Sequence, residues 1–97
     1  MGLRYRRMAG IESAPLNEEE ILFHPETQKF VMLNETGRFM WSQLAEPQSL
    51  HELAKAVSET FTGVTAKEAL PDLEKAMRQL EDLEFVVAEA GSNTGAS

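Results

Sequence analysis

The stretch Phe30–Trp41 reads FVMLNETGRFMW, and its pattern changes from strand to helix at Asn34. Before Asn34, aromatic, β-branched and aliphatic residues follow one another, as is typical of a strand. After it, Phe39 and Trp41 belong to an apolar group that continues to Leu44, as on the inner side of a short helix. Asparagine suits the junction because its side-chain oxygen accepts a hydrogen bond from a free N–H of the first helical turn. The stretch therefore predicts a strand that runs directly into a helix.

Working outward toward the N-terminus, the sequence predicts a hairpin. Glu19–His24 has a strand pattern, Pro25–Gln28 has turn residues, and Lys29–Leu33 is the second strand. A weaker strand is predicted around Ile11–Ala14, ended by Pro15 and Asn17. Since an isolated hairpin is marginal in water, we expect three strands with helices packed behind them.

Working outward toward the C-terminus, two further helix starts are marked by capping boxes. Ser49 is followed three residues later by Glu52, and Thr65 by Glu68, so each pair can satisfy two free backbone N–H groups. The apolar stripes behind both caps predict amphipathic helices. Pro71 leaves two structures open, a bent helix from Thr65 or a turn followed by a helix from Pro71.

These elements predict an α+β fold, a winged-helix-like domain in which a three-stranded antiparallel β-sheet is followed by three α-helices. Phe85–Val87 is short and β-like, and we expect it to close against that sheet. The expected organisation is an N-terminal segment over residues 1–9 that is partly flexible, a domain over 10–88, and a disordered tail over 89–97.

Composition limits the classes of function. With 97 residues, of which 42% are hydrophobic, the chain fits one globular domain. Its formal net charge of −7 opposes binding to nucleic-acid phosphates. No apolar run approaches the roughly 20 residues of a membrane span, so a cytoplasmic location without membrane contact is expected. The absence of cysteine excludes thiolate catalysis, disulfides and cysteine-based zinc sites.

Side chains that could perform chemistry do not form a recognisable pattern. His24 and His51 lack partners at metal-binding spacing, and both are interpreted as surface residues. The carboxylates occur in charge runs that are typical of solvated faces, and no glycine-rich phosphate loop is present. We therefore expect no enzyme activity, no metal and no cofactor.

The segment Leu33–Gly37 (LNETG) with Trp41 resembles the PqqD-like family, whose members carry a strand running into this motif and an apolar pair ending in tryptophan. The resemblance extends from about residue 5 to residue 87. The chain departs from the family pattern at Glu84 and Phe85, where Gly-Leu is usual, and at Pro71. Membership implies a peptide-recognition domain that captures the leader region of a ribosomally synthesised precursor peptide. It also implies that the precursor is presented to a modifying enzyme, often a radical-SAM protein.

In this family the leader adds as a strand to the edge of the third strand, and its side chains enter a cleft beside the third helix. Lys29–Leu33 contains no proline, so the whole segment can pair with a peptide. Alternation places Val31 and Leu33 on one face, which we assign to the core. The residues expected to bind the peptide are Lys29, Phe30, Val31 and Met32 through the backbone, and Asp72, Leu73, Ala76 and Gln79 beside the leader side chains.

Two other functions compete with peptide recognition. The element order also suits a winged-helix DNA-binding regulator, although the last predicted helix carries more carboxylates than basic residues. A free strand edge also suits an assembly subunit, so the chain is expected to be a monomer or a strand-edge homodimer. The precursor, the modification and the partner enzyme are not specified by the sequence.

Overall fold

The computed structural model describes residues 3–90. In chain order the elements are β1 Leu3–Arg7, β2 Glu12–Leu16, β3 Glu19–His24, β4 Lys29–Leu33, α1 Glu35–Gln43, β5 Gln48–Ser49, α2 Leu50–Thr60, α3 Ala66–Asp82 and β6 Val86–Ala90. Residues 89 and 90 of the predicted tail therefore belong to β6, and the rest of that tail lies outside the described residues. The domain limits at residues 10 and 88 remain a prediction.

The predicted α+β class is confirmed, with a three-stranded antiparallel sheet ordered β2-β3-β4 and three helices after it. Leu22 of β3 and Leu33 of β4 are buried on the side that faces the helices, while Val31 is partly buried against the same core. The assignment of Val31 and Leu33 to the core is therefore confirmed. The strand was predicted to end at Pro15 and Asn17; β2 continues through Pro15 and ends at Leu16, directly before Asn17, whose φ is positive. Proline is tolerated there since β2 lies at the edge of the sheet.

A second antiparallel sheet, ordered β5-β1-β6, was not predicted. The expectation that Phe85–Val87 closes against the hairpin sheet is wrong, because β6 pairs along its length with β1, from Leu3 opposite Ala90 to Arg7 opposite Val86. This pairing buries Tyr5. The strand that precedes residue 10 is thus hydrogen-bonded to the strand that ends the fold.

The helices begin where their caps predict. The Asn34 side chain accepts a hydrogen bond from the Gly37 N–H at 2.8 Å, and both capping boxes are formed, at Ser49 and at Thr65. The Glu52 carboxylate accepts from the Ser49 N–H and lies beside Arg4, and both contacts hold its pKa below the ordinary value.

The question that Pro71 left open is answered by α3, which is one helix with Pro71 inside it. Proline removes the N–H that would bond to the carbonyl of Lys67 four residues earlier. Lys67 is exposed, so water can satisfy that carbonyl. The buried side of α3, with Leu73 and Met77, packs on α2 and completes the core.

Candidate functional site

Strand β4 has one unpaired flank. It lies at the end of its sheet, and within residues 3–90 only β3 pairs with it. An antiparallel edge strand leaves alternate N–H and C=O groups free, which an extended peptide can satisfy. The opposite edge strand, β2, contains Pro15 and has one donor fewer. The β4 edge is therefore the better template in this sheet.

A groove opens beside the β4 edge and consists of two adjoining cavities. The smaller one, about 380 Å³, lies between β4 and α3. The larger one, about 710 Å³, lies between α2, α3 and the start of α1. Four residues line both cavities, which therefore adjoin: Asn34, Gly37, Met40 and Ala76. We call the two cavities together the groove.

The groove has an apolar floor and acidic borders. Leu73 and Val57 are buried in the floor of the larger cavity, and Phe61 is half-buried beside them. Glu68 and Asp72 are exposed at this cavity, and Glu19 at the smaller one. Neither cavity has a lysine or arginine in its described lining. Such a groove favours apolar side chains on a peptide that carries positive rather than negative charge.

Gly37 lies where the two cavities meet. A Cβ atom at this position would lie 3.3 Å from both the Asn34 Oδ1 and the Leu33 Cβ. These distances are close to the limit for van der Waals contact, so any side chain would press against the helix cap and the end of β4. Glycine thus permits the turn of α1 to approach β4 directly.

The structure brings together most of the residues predicted for the site. Val31, Met32, Ala76 and Gln79 line the smaller cavity, while Asp72, Leu73 and Ala76 line the larger one. Lys29 and Phe30 line neither cavity, although both belong to β4 and share its free flank.

Sequence reasoning missed the part of the groove contributed by α1 and α2. Asn34 was interpreted only as a helix cap, Gly37 only as part of the LNETG motif, and Phe61 was not assigned to the site. Phe61 packs edge-to-face on Phe39, with ring centroids 5.5 Å apart, which positions it beside the larger cavity. Three elements separated in the chain meet here, and no local motif indicates that.

The face of the hairpin sheet that points away from the helices is apolar, and we call it the outer face. Phe30 and Met32 of β4 are 67% and 56% exposed there. Their cross-strand partners on β3 are Phe23 and Ile21, which are half-buried. The Phe23 and Phe30 rings are in contact at a centroid distance of 4.9 Å, with their planes tilted by 44°.

The two histidines differ in their environments. His51 is exposed, as predicted, but the prediction for His24 is wrong, since only 3% of it is exposed. Its Nδ1 accepts from the backbone N–H of Glu26 at 3.3 Å and its ring packs edge-to-face on Phe85, so it holds the hairpin turn to the core. In residues 3–90 no three His, Asp or Glu side chains are grouped so that they could hold a metal ion.

Comparison with known proteins identifies the family. Residues 19–86 match the family model described as Coenzyme PQQ synthesis protein D (PqqD), so the chain belongs to the PqqD family. The matched region includes both β4 and α3. A search of curated proteins found no match.

A solved structure, "TbiB1 in Complex with the TbiA(beta) Leader Peptide", has a similar fold. The TM-score is 0.73 at 24% sequence identity, and the alignment covers 91% of this chain and 99% of that one. Since identity is low, this likeness shows a shared fold. No helix within residues 3–90 combines the length and hydrophobicity needed to cross a membrane.

Proposed function

We propose that this chain is a non-catalytic carrier that binds the leader region of a ribosomally synthesised precursor peptide and presents it to a modifying enzyme. The observation that carries the proposal is the position of the groove directly beside the free edge of β4. A peptide added to this edge can bond through its backbone while alternate side chains enter the groove. A radical-SAM protein is the enzyme class that the family suggests, and the cytoplasm is the corresponding location.

The two parts of the site contribute differently. Backbone pairing along Lys29–Leu33 is tolerant of sequence, and the groove supplies selectivity. Ordering a free peptide costs binding energy, so a short strand with a shallow groove gives moderate affinity. We expect a Kd in the micromolar range, about −8 kcal/mol. Such affinity suits a peptide that must be released after modification.

Roles for the individual residues follow from where they lie. Lys29 and Phe30 act through their backbone groups, and Val31 and Met32 also border the groove. On α3 the residues that border the peptide side chains are Asp72, Leu73, Ala76 and Gln79. No metal or cofactor takes part in this proposal.

The comparisons support the proposal without extending it to a particular precursor. The family description concerns coenzyme PQQ synthesis, and the TbiB1 structure holds a leader peptide. DNA binding is disfavoured, because carboxylates on the exposed side of α3, such as Glu74 and Glu81, oppose the positive charge of Arg78. The second candidate is a homodimer through the free β4 edge, which sedimentation over a range of protein concentrations detects.

A substitution that fills the groove tests the proposal. Ala76 lines both cavities, so Ala76→Trp is expected to weaken binding of the leader encoded beside this gene by at least about tenfold, roughly 1.4 kcal/mol. Lys75→Trp places the same bulk on the exposed neighbour, which lines neither cavity, and should change Kd by less than about twofold. Gln79→Trp serves as a second test at the smaller cavity, because the Gln79 side chain is exposed and its replacement should not disturb folding. Unchanged affinity in both groove variants contradicts the proposal.

A further inference from the structure

The outer face beside the β4 edge carries an inference about the peptide itself, which rests on the proposed function. We infer that the leader segment is apolar on both sides of its strand, because its outward side chains pack on Phe30 and Met32. The most exposed large apolar side chains of the described residues are these two, together with Leu3 and Leu16. Phe30 and Met32 both lie on the strand that borders the free edge.

The geometry of strand addition determines which peptide residues meet these side chains. In an antiparallel pair, directly opposed residues point to the same face with Cβ atoms about 4.5–5.5 Å apart. Peptide residues opposite Phe30 and Met32 therefore point to the outer face, and the residue between them points with Val31 toward the groove side. The Phe23 ring packs against the Phe30 ring from the neighbouring strand.

The size and charge of the outer face argue against a second copy of this chain as the occupant. The exposed parts of Phe30, Met32 and Leu16 amount to roughly 300 Å², against about 800 Å² per partner in a stable protein interface. Glu12 is exposed on the same face, opposite Phe23 in the register. Two such faces packed together would oppose like charges, whereas a single added strand covers only the part next to β4.

The inferred ligand class is an extended segment with several consecutive apolar residues, aromatic or β-branched on the outer side. A ligand held by the groove alone needs an apolar residue only at every second position. The two ligand patterns are therefore distinguishable in sequence.

Selection from a display library of random peptides, each about 12 residues long, tests the inference without a known precursor. The wild-type domain is expected to select consecutive apolar residues. The Phe30→Thr/Met32→Thr double variant is expected to bind a synthetic copy of the selected peptide about tenfold more weakly. Threonine favours strands and both side chains are exposed, so the variant should fold. Because Met32 also lines the smaller cavity, Phe30→Thr alone, which leaves the lining of both cavities unchanged, should weaken binding as well. Leu16→Thr is the matched control, since it removes exposed apolar surface from the same face on the far edge strand, and it should change Kd less than about twofold.

A double-mutant cycle completes the test. Replacing the outward residues of the selected peptide by threonine should weaken its binding to the wild type about tenfold. The same replacement should weaken binding to the double variant only slightly, because the side chains that these residues contact are already absent. The inference is overturned if the selected peptides are apolar only at alternate positions and bind the double variant normally. The proposed function stays intact in that case if Ala76→Trp still weakens binding by at least about tenfold. An equal loss in Leu16→Thr also overturns the inference. If the selected peptides bind Ala76→Trp and the double variant as tightly as the wild type, the proposed function is overturned as well.

Discussion

Arg7 connects the unpredicted strand β1 to α1, and its removal is expected to destabilise the fold. Its guanidinium carbon lies 4.7 Å from the centroid of the Trp41 ring. Its Nε and a terminal nitrogen donate to the Trp41 carbonyl at 3.1 and 2.6 Å. That carbonyl lies in the last turn of α1, which has no basic residue of its own. Arg7 thus supplies, from another element, the positive charge that a helix C-terminus favours.

The expected loss for Arg7→Ala is about 2 kcal/mol in the free energy of unfolding. Hydrogen bonds from a charged donor contribute about 1.5–3 kcal/mol, and the cation–π contact adds about 0.5–1 kcal/mol. Because Arg7 is only half-buried, the combined contribution of these contacts should lie toward the lower end of their summed range. Arg7→Lys keeps the charge but loses the paired geometry, so it should recover less than half of the loss.

Urea unfolding followed by tryptophan fluorescence measures this directly, because Trp41 is the single tryptophan. Arg6→Ala is the matched control, since Arg6 is the exposed neighbour whose only side-chain ion pair in residues 3–90 is with Glu89. It should cost less than about 1 kcal/mol. A loss below about 0.5 kcal/mol for Arg7→Ala would refute the reasoning.

Three further predictions concern the fold. Burial raises the pKa of Tyr5, and the carboxylates of Glu81 and Glu74 raise it further, against the opposing effect of Arg78. The contribution of neutral Tyr5 to stability should therefore be complete below the ordinary pKa near 10 and should decline as pH rises through the folded-state pKa. Unfolding free energies measured at a series of alkaline pH values should show this decline in the wild type and not in Tyr5→Phe. The same dependence on pH in both proteins would contradict the prediction. Asn34→Ala should cost about 1 kcal/mol in urea unfolding, with Asn34→Ser nearly neutral, since serine also caps; equal losses would exclude the cap as the cause. Pro71→Ala should stabilise by about 1 kcal/mol because it restores a helical N–H, and a lower midpoint in thermal unfolding would show that α3 needs its proline.

Local signals in the sequence predicted the hairpin and all three helix starts. Asn34, Ser49 and Thr65 each act within a few residues of their own position, so the bonds they make can be inferred without tertiary structure. The alternation in β4 also predicted correctly that Leu33 faces the core.

The features that the sequence did not predict depend on contacts between segments that are distant in the chain. Within β1 only Tyr5 is buried, so the strand shows no alternating pattern, and its partner β6 lies at the other end of the chain. The groove likewise forms only when α1, α2 and α3 meet, which is why Gly37 and Phe61 were not recognised as lining residues. The buried state of His24 was missed because its partners are backbone groups of the turn.

The most direct test of leader binding is an NMR titration of the isotope-labelled domain with the leader of the precursor encoded beside its gene. Strand addition predicts amide shifts concentrated at residues 29–33 and along residues 72–79 of α3, together with peptide-to-β4 backbone contacts typical of an antiparallel or parallel pair. Shifts confined to the β1–β6 sheet, or none at saturating peptide, would contradict binding at the β4 edge.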